Sequence, residues 1–330
     1  MKQNIVIRAD GSNEIGLGHI YRSFYLAKEL KKEKVNVIFL SKNVFLKKII
    51  QKKFQIEIFN DNSKKLEEKL EQLNPKLIII DKLKEDTNQL KILSKYSRLV
   101  GIDYIGKNNS KIDYGINILY QKSGIHKNKS FSGFNFSILN NSIRLYKPIK
   151  IKKEVNQVLI IQGGSDTPCN TPKILSALNK IDTNLKVNVI VGGGFQCWNK
   201  LNESIKGSKH SVKIHSNVKN IGKIMLQNDI AITGGGITSL ELCNLGIPSI
   251  IMCGGKHENE TSSLLEKHGA VINLGYKRNF RIKDIKETVK KLLDNYEQRK
   301  KMNKIAKKLI DQRGSKRVVD IILRINKWEF

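Results

Sequence analysis

Long apolar runs are missing from this chain: none approaches the roughly 20 residues that a membrane-spanning helix requires. The opening, MKQNIVIRAD, has neither an apolar h-region nor a small-residue cleavage site, so no secretory leader is expected and the reading places the chain in the cytoplasm. Cysteine is scarce. Cys169, Cys197, Cys243 and Cys253 stand apart without CxxC spacing, which excludes a zinc knuckle or dithiol motif and predicts reduced, packing thiols. Asp166 or Glu258 could bind a cation, but no ligand cluster at metal spacing appears, so no metal and no cofactor are expected. The GxxxxGK[ST] spacing of a P-loop is absent, as is any short-period repeat. Acidic residues are outnumbered, 30 against 60 basic, giving a net charge of +30. Such an excess favours anionic partners: phosphates, nucleic acid or an anionic membrane surface. Most of it is lysine spread along helix faces (Lys31, Lys32, Lys47, Lys48, Lys52, Lys53, Lys300, Lys301, Lys307, Lys308), which reads as a solvated basic surface. No basic stripe interleaved with aromatics and no nucleic-acid signature accompanies it. No nucleic-acid partner is therefore expected; peripheral contact with an anionic membrane stays open beside the solvated surface, and the chain is expected to be a monomer.

What is present is alternation. Strands are predicted at Ile5–Arg8, Val35–Leu40, Ile56–Phe59, Leu77–Ile80 and Leu99–Ile102, separated by helical patterns, the first helix starting near His19. Periodicity fades between 108 and 154, around the basic run Lys147–Lys153, and resumes at Val158–Ile161, Val187–Val191, Ile230–Thr233 and Ile247–Met252. Charged helices follow Arg281, with a last one after Gly314. Strand–helix alternation of this kind predicts an α/β chain with doubly wound parallel sheets. The expected domains are 1–150 and 151–330, with ligands outside the carboxyl ends of the strands and the cleft between domains as the favoured pocket.

Three glycine loops join a predicted strand to a predicted helix. The first runs Arg8-Ala9-Asp10-Gly11-Ser12-Asn13-Glu14-Ile15-Gly16-Leu17-Gly18-His19. Its glycines let a ligand approach the backbone, and an imidazole at the helix entrance can take a proton from water or a hydroxyl. A packing or capping histidine is the alternative. The second, Gln162-Gly163-Gly164-Ser165-Asp166, fits a phosphate loop or an ordinary tight turn equally. In the third, Thr233-Gly234-Gly235-Gly236-Ile237-Thr238-Ser239-Leu240-Glu241, bare amides precede a helix whose N-terminus attracts a diphosphate. Glu241 there can accept from a ribose diol or simply complement the helix dipole. The dinucleotide fingerprint is incomplete, since the first loop lacks GxGxxG.

The run IRADGSNEIGLGHIYRSFYLAKEL, with Arg8, Asp10, Ser12, Ile15-Gly16, Gly18-His19 and Arg22, resembles the opening of the UDP-sugar hydrolase family of pseudaminic acid biosynthesis (PseG) and of related spore-coat polysaccharide biosynthesis proteins. GGSD (Gly163–Asp166), GGGITSLELCNLGIPSI (Gly234–Ile250) and HENET (His257–Thr261) resemble the nucleotide-binding half of GT-B glycosyltransferases. The resemblance implies two Rossmann-like domains facing a cleft, the second holding UDP. His19 then becomes the general base directing water at the anomeric carbon of a UDP-linked diacetamido-trideoxyhexose, with inversion and without metal. Gly164 and Gly235, Gly236, Ile237, Thr238 and Ser239 fall to the diphosphate side, Glu241 to the ribose, and Asn259 to the phosphates or sugar. Ser12 and Gly18 belong to the catalytic loop, while Asp10 and Arg22 shape the sugar side or orient His19. Where members of that family often show Asp-His-Tyr, this chain has Asp81-Lys82-Leu83, which bears on which sugar is taken. Two other classes compete with hydrolysis: a GT-B glycosyltransferase using a UDP-sugar donor, and a basic nucleotide- or nucleic-acid-binding module without catalysis.

Overall fold

Short aliphatic runs become strands because β-branched side chains suit a pleated surface covered on both faces; Leu77–Ile80 is buried at every position. The computed structural model describes residues 4–10, 18–42, 44–50, 53–106, 109–124, 129–276 and 280–327. They divide into two compact units, 1–140 with 313–330, and 141–312.

In the first unit the elements are β1 (Asn4–Arg8), α1 (Gly18–Lys32), β2 (Asn36–Ser41), α2 (Phe45–Ile50), β3 (Gln55–Ile58), α3 (Ser63–Leu73), β4 (Leu77–Ile80), α4 (Thr87–Tyr96), β5 (Arg98–Ile102), β6 (Tyr114–Asn117) and β7 (Ser130–Ser132). Capping chemistry sets the helix starts. Asn62 accepts from the Lys65 N–H ahead of α3, and Asp86 accepts from those of Asn88 and Gln89 ahead of α4. The parallel sheet runs β3-β2-β1-β4-β5-β6-β7. Its order reverses between β1 and β4, which pair Ile5 with Leu77 through Arg8 with Ile80. That reversal is a topological switch point, the place at the carboxyl edge where open α/β sheets bind ligands.

The second unit repeats the design with β8 (Gln157–Ile161), α5 (Asn170–Leu178), β9 (Lys186–Val191), α6 (Trp198–Lys206), β10 (Ser211–Ser216), α7 (Ile221–Met225), β11 (Ile230–Thr233), α8 (Ile237–Asn244), β12 (Ser249–Ile251), α9 (Glu258–Lys267), β13 (Ile272–Asn273), α10 (Ile282–Asp294) and α11 (Tyr296–Leu309). Its parallel order, β10-β9-β8-β11-β12-β13, puts the switch point between β8 and β11. Among the described residues, no helix is long and apolar enough to cross a membrane.

Three features depart from the sequence expectations. The aperiodic stretch after 108 contains β6 and β7, short strands that extend the first sheet. The last helix, α12 (Gly314–Lys327), belongs to the first unit rather than the second. Its apolar stripe of Val318, Val319, Ile322 and Ile325 is buried, and Arg317 donates to the Asn135 carbonyl at 2.9 Å. Cys169 and Cys197, expected to be reduced, form a disulfide with Cα atoms 5.9 Å apart. They lie in the loops leaving β8 and β9, which adjacent parallel strands bring together across 28 residues; Cys243 and Cys253 are free and buried.

Candidate functional site

The carboxyl ends of β4 and β5 and the first turns of α1 deliver polar side chains to one buried group. Asp81 directly follows β4 and Asp103 follows β5, and both are fully buried. His19 and Arg22, one turn apart on α1, meet them. His19 Nδ1 lies 2.9 Å from Asp81 Oδ1. Arg22 donates to both Asp81 oxygens, through Nη2 and through Nε at 3.2 Å, and to Asp103 through Nη1. Ser23 Oγ donates to Asp81 Oδ2 at 2.7 Å. The other Asp103 oxygen accepts the backbone N–H groups of Ile118 and Leu119 at 2.7 and 2.8 Å.

The tautomer of His19 follows from these partners. Arg22 Nη2 also approaches Nδ1, at 3.3 Å, but the Asp81 carboxylate is closer and charged. Nδ1 therefore carries the proton and donates, and Nε2 keeps its lone pair. Burial pushes the Asp81 carboxyl up, yet Arg22 and the His19 hydrogen bond outweigh it and hold it well below the usual carboxylate range. The Arg22 guanidinium is held above its ordinary value: burial lowers it, while Asp81 and Asp103 raise it further. With Arg22 facing two carboxylates, the group carries one uncompensated negative charge, which a proton on His19 would neutralise.

Asp10 is placed apart from His19. Its carboxylate takes a two-pronged contact from the fully buried Arg8 guanidinium, both bonds 2.6 Å, along with Ser41 Oγ at 3.0 Å and the Lys42 N–H at 2.9 Å. Lys82 Nζ reaches Asp10 at 2.8 Å and Glu85 at 2.9 Å. Arg8 Nε lies 2.8 Å from Glu85, an ion pair not aligned as a hydrogen bond. Asp10 thus anchors the loop ends of β1, β2 and β4. Lys82 ties that anchor to the residue next to Asp81. Gly18 opens α1 beside His19; Ser12, with the rest of 11–17, lies outside the described residues.

In the second unit the expected residues line the carboxyl edge, with roles divided differently. Asp166 caps α5, its two oxygens accepting from the Asn170 and Thr171 N–H groups at 2.8 Å each. The Gly164 carbonyl accepts from the Gly194 N–H at 3.0 Å. A Cβ on Gly192 would lie 2.3 Å from that same oxygen, whereas one on Gly193 would meet nothing within 4 Å. Gly192→Ala is therefore expected to lower the unfolding free energy by about 1–3 kcal/mol. Gly193→Ala should change denaturant unfolding by less than about 1 kcal/mol.

Gly236 caps α8, and Ile237 and Thr238 form its half-buried first turn. Ser239 turns its hydroxyl back to the Gly236 carbonyl at 2.7 Å, and Glu241 is buried. Asn259 accepts from Asn273 Nδ2 at 3.2 Å, joining α9 to β13. Among the described residues no group of three His, Cys, Asp or Glu is placed to hold a metal ion.

Ser23, Glu85 and Asp103 were missed by sequence reasoning. One signal was available for Asp103: like Asp81, it directly follows an apolar strand, at the carboxyl edge where ligands bind.

Residues 134–318, more than half the chain, match the glycosyltransferase family 28 C-terminal domain. The spore coat polysaccharide biosynthesis protein SpsG of Bacillus subtilis is 24% identical over 347 residues, covering 99% of both chains. An uncharacterized protein of Methanocaldococcus jannaschii is 32% identical over 275 residues, 78% of this chain, which spans only 57% of that relative's length. Among solved structures, MurG of Acinetobacter baumannii aligns with a TM-score of 0.71 at 12% identity, over 98% of this chain and 100% of its own. HepE of Anabaena, solved with UDP-glucose, aligns at 0.64 and 12%, over 97% and 99%. Likeness at such identity carries the fold, that of the two-Rossmann-domain GT-B glycosyltransferases. The chain belongs to the family defined by the glycosyltransferase family 28 C-terminal domain.

Proposed function

We propose that the chain acts on a UDP-linked sugar in polysaccharide biosynthesis and hydrolyses it, with His19 as the general base. The observation that carries the reading is the His19–Asp81 pair at 2.9 Å, set on the carboxyl edge at the switch point with Nε2 as the remaining acceptor. Family membership, the polysaccharide role in the name of the Bacillus relative and the UDP-glucose held by the Anabaena neighbour support the substrate class.

In this mechanism a water O–H gives its proton to His19 Nε2 as the oxygen attacks the anomeric carbon. The bond from that carbon to the diphosphate oxygen breaks, UDP departs, and configuration inverts. Arg22, Asp81 and Asp103 form a fixed frame whose net negative charge stabilises the imidazolium as it appears. The amides at Gly235 and Gly236, with Gly164, Thr238 and the N-terminus of α8, hold the diphosphate. The ribose falls to Glu241, and Asn259 lies on the sugar side. The sugar is a diacetamido-trideoxyhexose, and the enzyme is a cytoplasmic monomer that needs no metal. Family membership favours a second reading, transfer to an acceptor, in which the same histidine deprotonates an acceptor hydroxyl.

Purified protein incubated with UDP-diacetamido sugars and followed by NMR, with and without EDTA, should release UDP and free sugar in the absence of any acceptor. His19→Asn is expected to lower kcat about 10²–10⁴-fold. UDP release that requires an added acceptor would replace hydrolysis by transfer. Full turnover by His19→Asn would end the general-base assignment.

A further inference from the structure

The amides best placed for an anion already hold one. Glu258, the first residue of α9, points its carboxylate back to the carboxyl edge of the second sheet. Its Oε2 accepts from the Gly254 N–H at 2.7 Å and the Gly235 N–H at 3.1 Å. Those amides follow adjacent strands, β12 and β11. The placement is built in. A Cβ on Gly235 would lie 2.8 Å from Glu258 Cβ and 2.7 Å from Ser262 Oγ, so only glycine lets α9 seat this closely. Ser262 Oγ in turn donates to the Glu258 carbonyl at 3.0 Å. Beside this point two buried groups, Gln162 Nε2 and Thr233 Oγ1, find no hydrogen-bond partner among the described residues. Gln162 directly follows β8 and Thr233 ends β11 at the switch point, next to Gly234, where a Cβ would stand 3.9 Å from Gln162 Oε1. Unsatisfied buried polar groups are costly, and here they sit at the edge where a polar ligand is expected.

We infer that Glu258 is a resident anion, holding the Gly235 and Gly254 amides until a nucleoside diphosphate takes them and opposing that ligand by like charge. This rests on the reading that the glycine loop receives a diphosphate. One N–H cannot serve a carboxylate and a phosphate oxygen at full strength, and two anions on neighbouring amides repel. Binding therefore requires the carboxylate to swing out. A free UDP terminus carries more negative charge than the sugar-esterified diphosphate. The resident carboxylate thus weakens product more than substrate and favours product release. Glu258 is a positioning and specificity residue in this role, with no part in bond breaking.

The test is calorimetric titration of UDP into the wild type, Glu258→Gln and Glu258→Ala at neutral pH, with circular dichroism to confirm folding. Glu258→Gln keeps the shape and removes the charge, and its Kd should fall on the order of tenfold, since charge-assisted bonds to amides are about twice as strong as neutral ones. Glu258→Ala should move the same way. A merely structural carboxylate gives the opposite sign, because loosening the loop weakens binding. Equal or weaker UDP binding in folded Glu258→Gln would overturn the inference while leaving the diphosphate site standing. No UDP binding by any of the three proteins would remove both.

Discussion

Asp81→Asn is expected to lower kcat about 10³–10⁴-fold, the scale seen when the carboxylate orienting a catalytic histidine elsewhere becomes an amide. An amide offers one acceptor oxygen and one NH2 donor. Arg22, a donor only, approaches both Asp81 oxygens, and Ser23 donates to one of them. These donors claim the amide oxygen and leave its NH2 toward His19 Nδ1. Nδ1 must then accept, which moves the ring proton to Nε2 and removes the lone pair that takes a proton from water. The charge balance shifts too: Arg22 then faces Asp103 alone, and the negative charge that a developing imidazolium would neutralise is gone. UDP affinity should be unaffected, since the proposed diphosphate amides belong to the second unit. Steady-state kinetics beside UDP titration separates the two quantities. A loss under tenfold, or an equal loss of UDP binding, would show that Asp81 does not orient the base.

The frame that makes this prediction was partly legible in the sequence. LIII before Asp81 and LVGI before Asp103 read as buried strands, and an acid directly after a buried parallel strand lies at the ligand edge whatever the fold's details. His19 stood out from its loop alone. The partners were not legible. His19 and Asp81 are 62 residues apart and Arg22 and Asp103 are 81 apart, and only the strand order β1-β4-β5 brings them together. Asp10 shows the converse: its motif suggested the sugar side, but the nearby Arg8, Ser41 and Lys82 claim its carboxylate. The resemblance puts Ser239 on the diphosphate side with the rest of its glycine loop, yet its hydroxyl closes on Gly236. The amphipathic stripe of α12 was readable as a helix, but periodicity does not say which core a stripe covers. β6 and β7 were lost because they are short and lie among Gly, Ser and Asn, and the Cys169–Cys197 pair because no local spacing marks it.

Arg8→Met is expected to destabilise the first unit by about 3–5 kcal/mol at pH 7, the cost of leaving buried charge uncompensated. The Arg8 guanidinium has no exposed surface and faces Asp10 and Glu85; without it those two carboxylates share Lys82 alone. The effect should depend on pH in a defined direction. Burial pushes the Asp10 carboxyl up, but the hydrogen bonds and charge of Arg8, helped by Lys82, hold it well below its ordinary value. A carboxyl depressed on folding contributes stability that is fully present above its unfolded pKa, about 3.9, and is lost as pH falls toward the folded value. Asp81 adds to this in the same sense. The wild type should accordingly lose stability steadily below about pH 4. Arg8→Met gives up much of the Asp10 contribution at pH 7, where the wild type has it in full. There is less of it to give up as the wild type loses it in acid, so the gap between the proteins should narrow as the solution is acidified. Urea unfolding at pH 7 and near pH 3.5 measures both gaps. A third protein, Arg8→Met with Asp10→Asn and Glu85→Gln, should recover part of the loss at pH 7, because it removes the stranded charges along with their partner. A gap that stays constant from pH 7 to 3.5, with no recovery in the triple variant, would mean that Arg8 stabilises through packing against the Phe59 ring, 5.0 Å from its guanidinium carbon, rather than through charge.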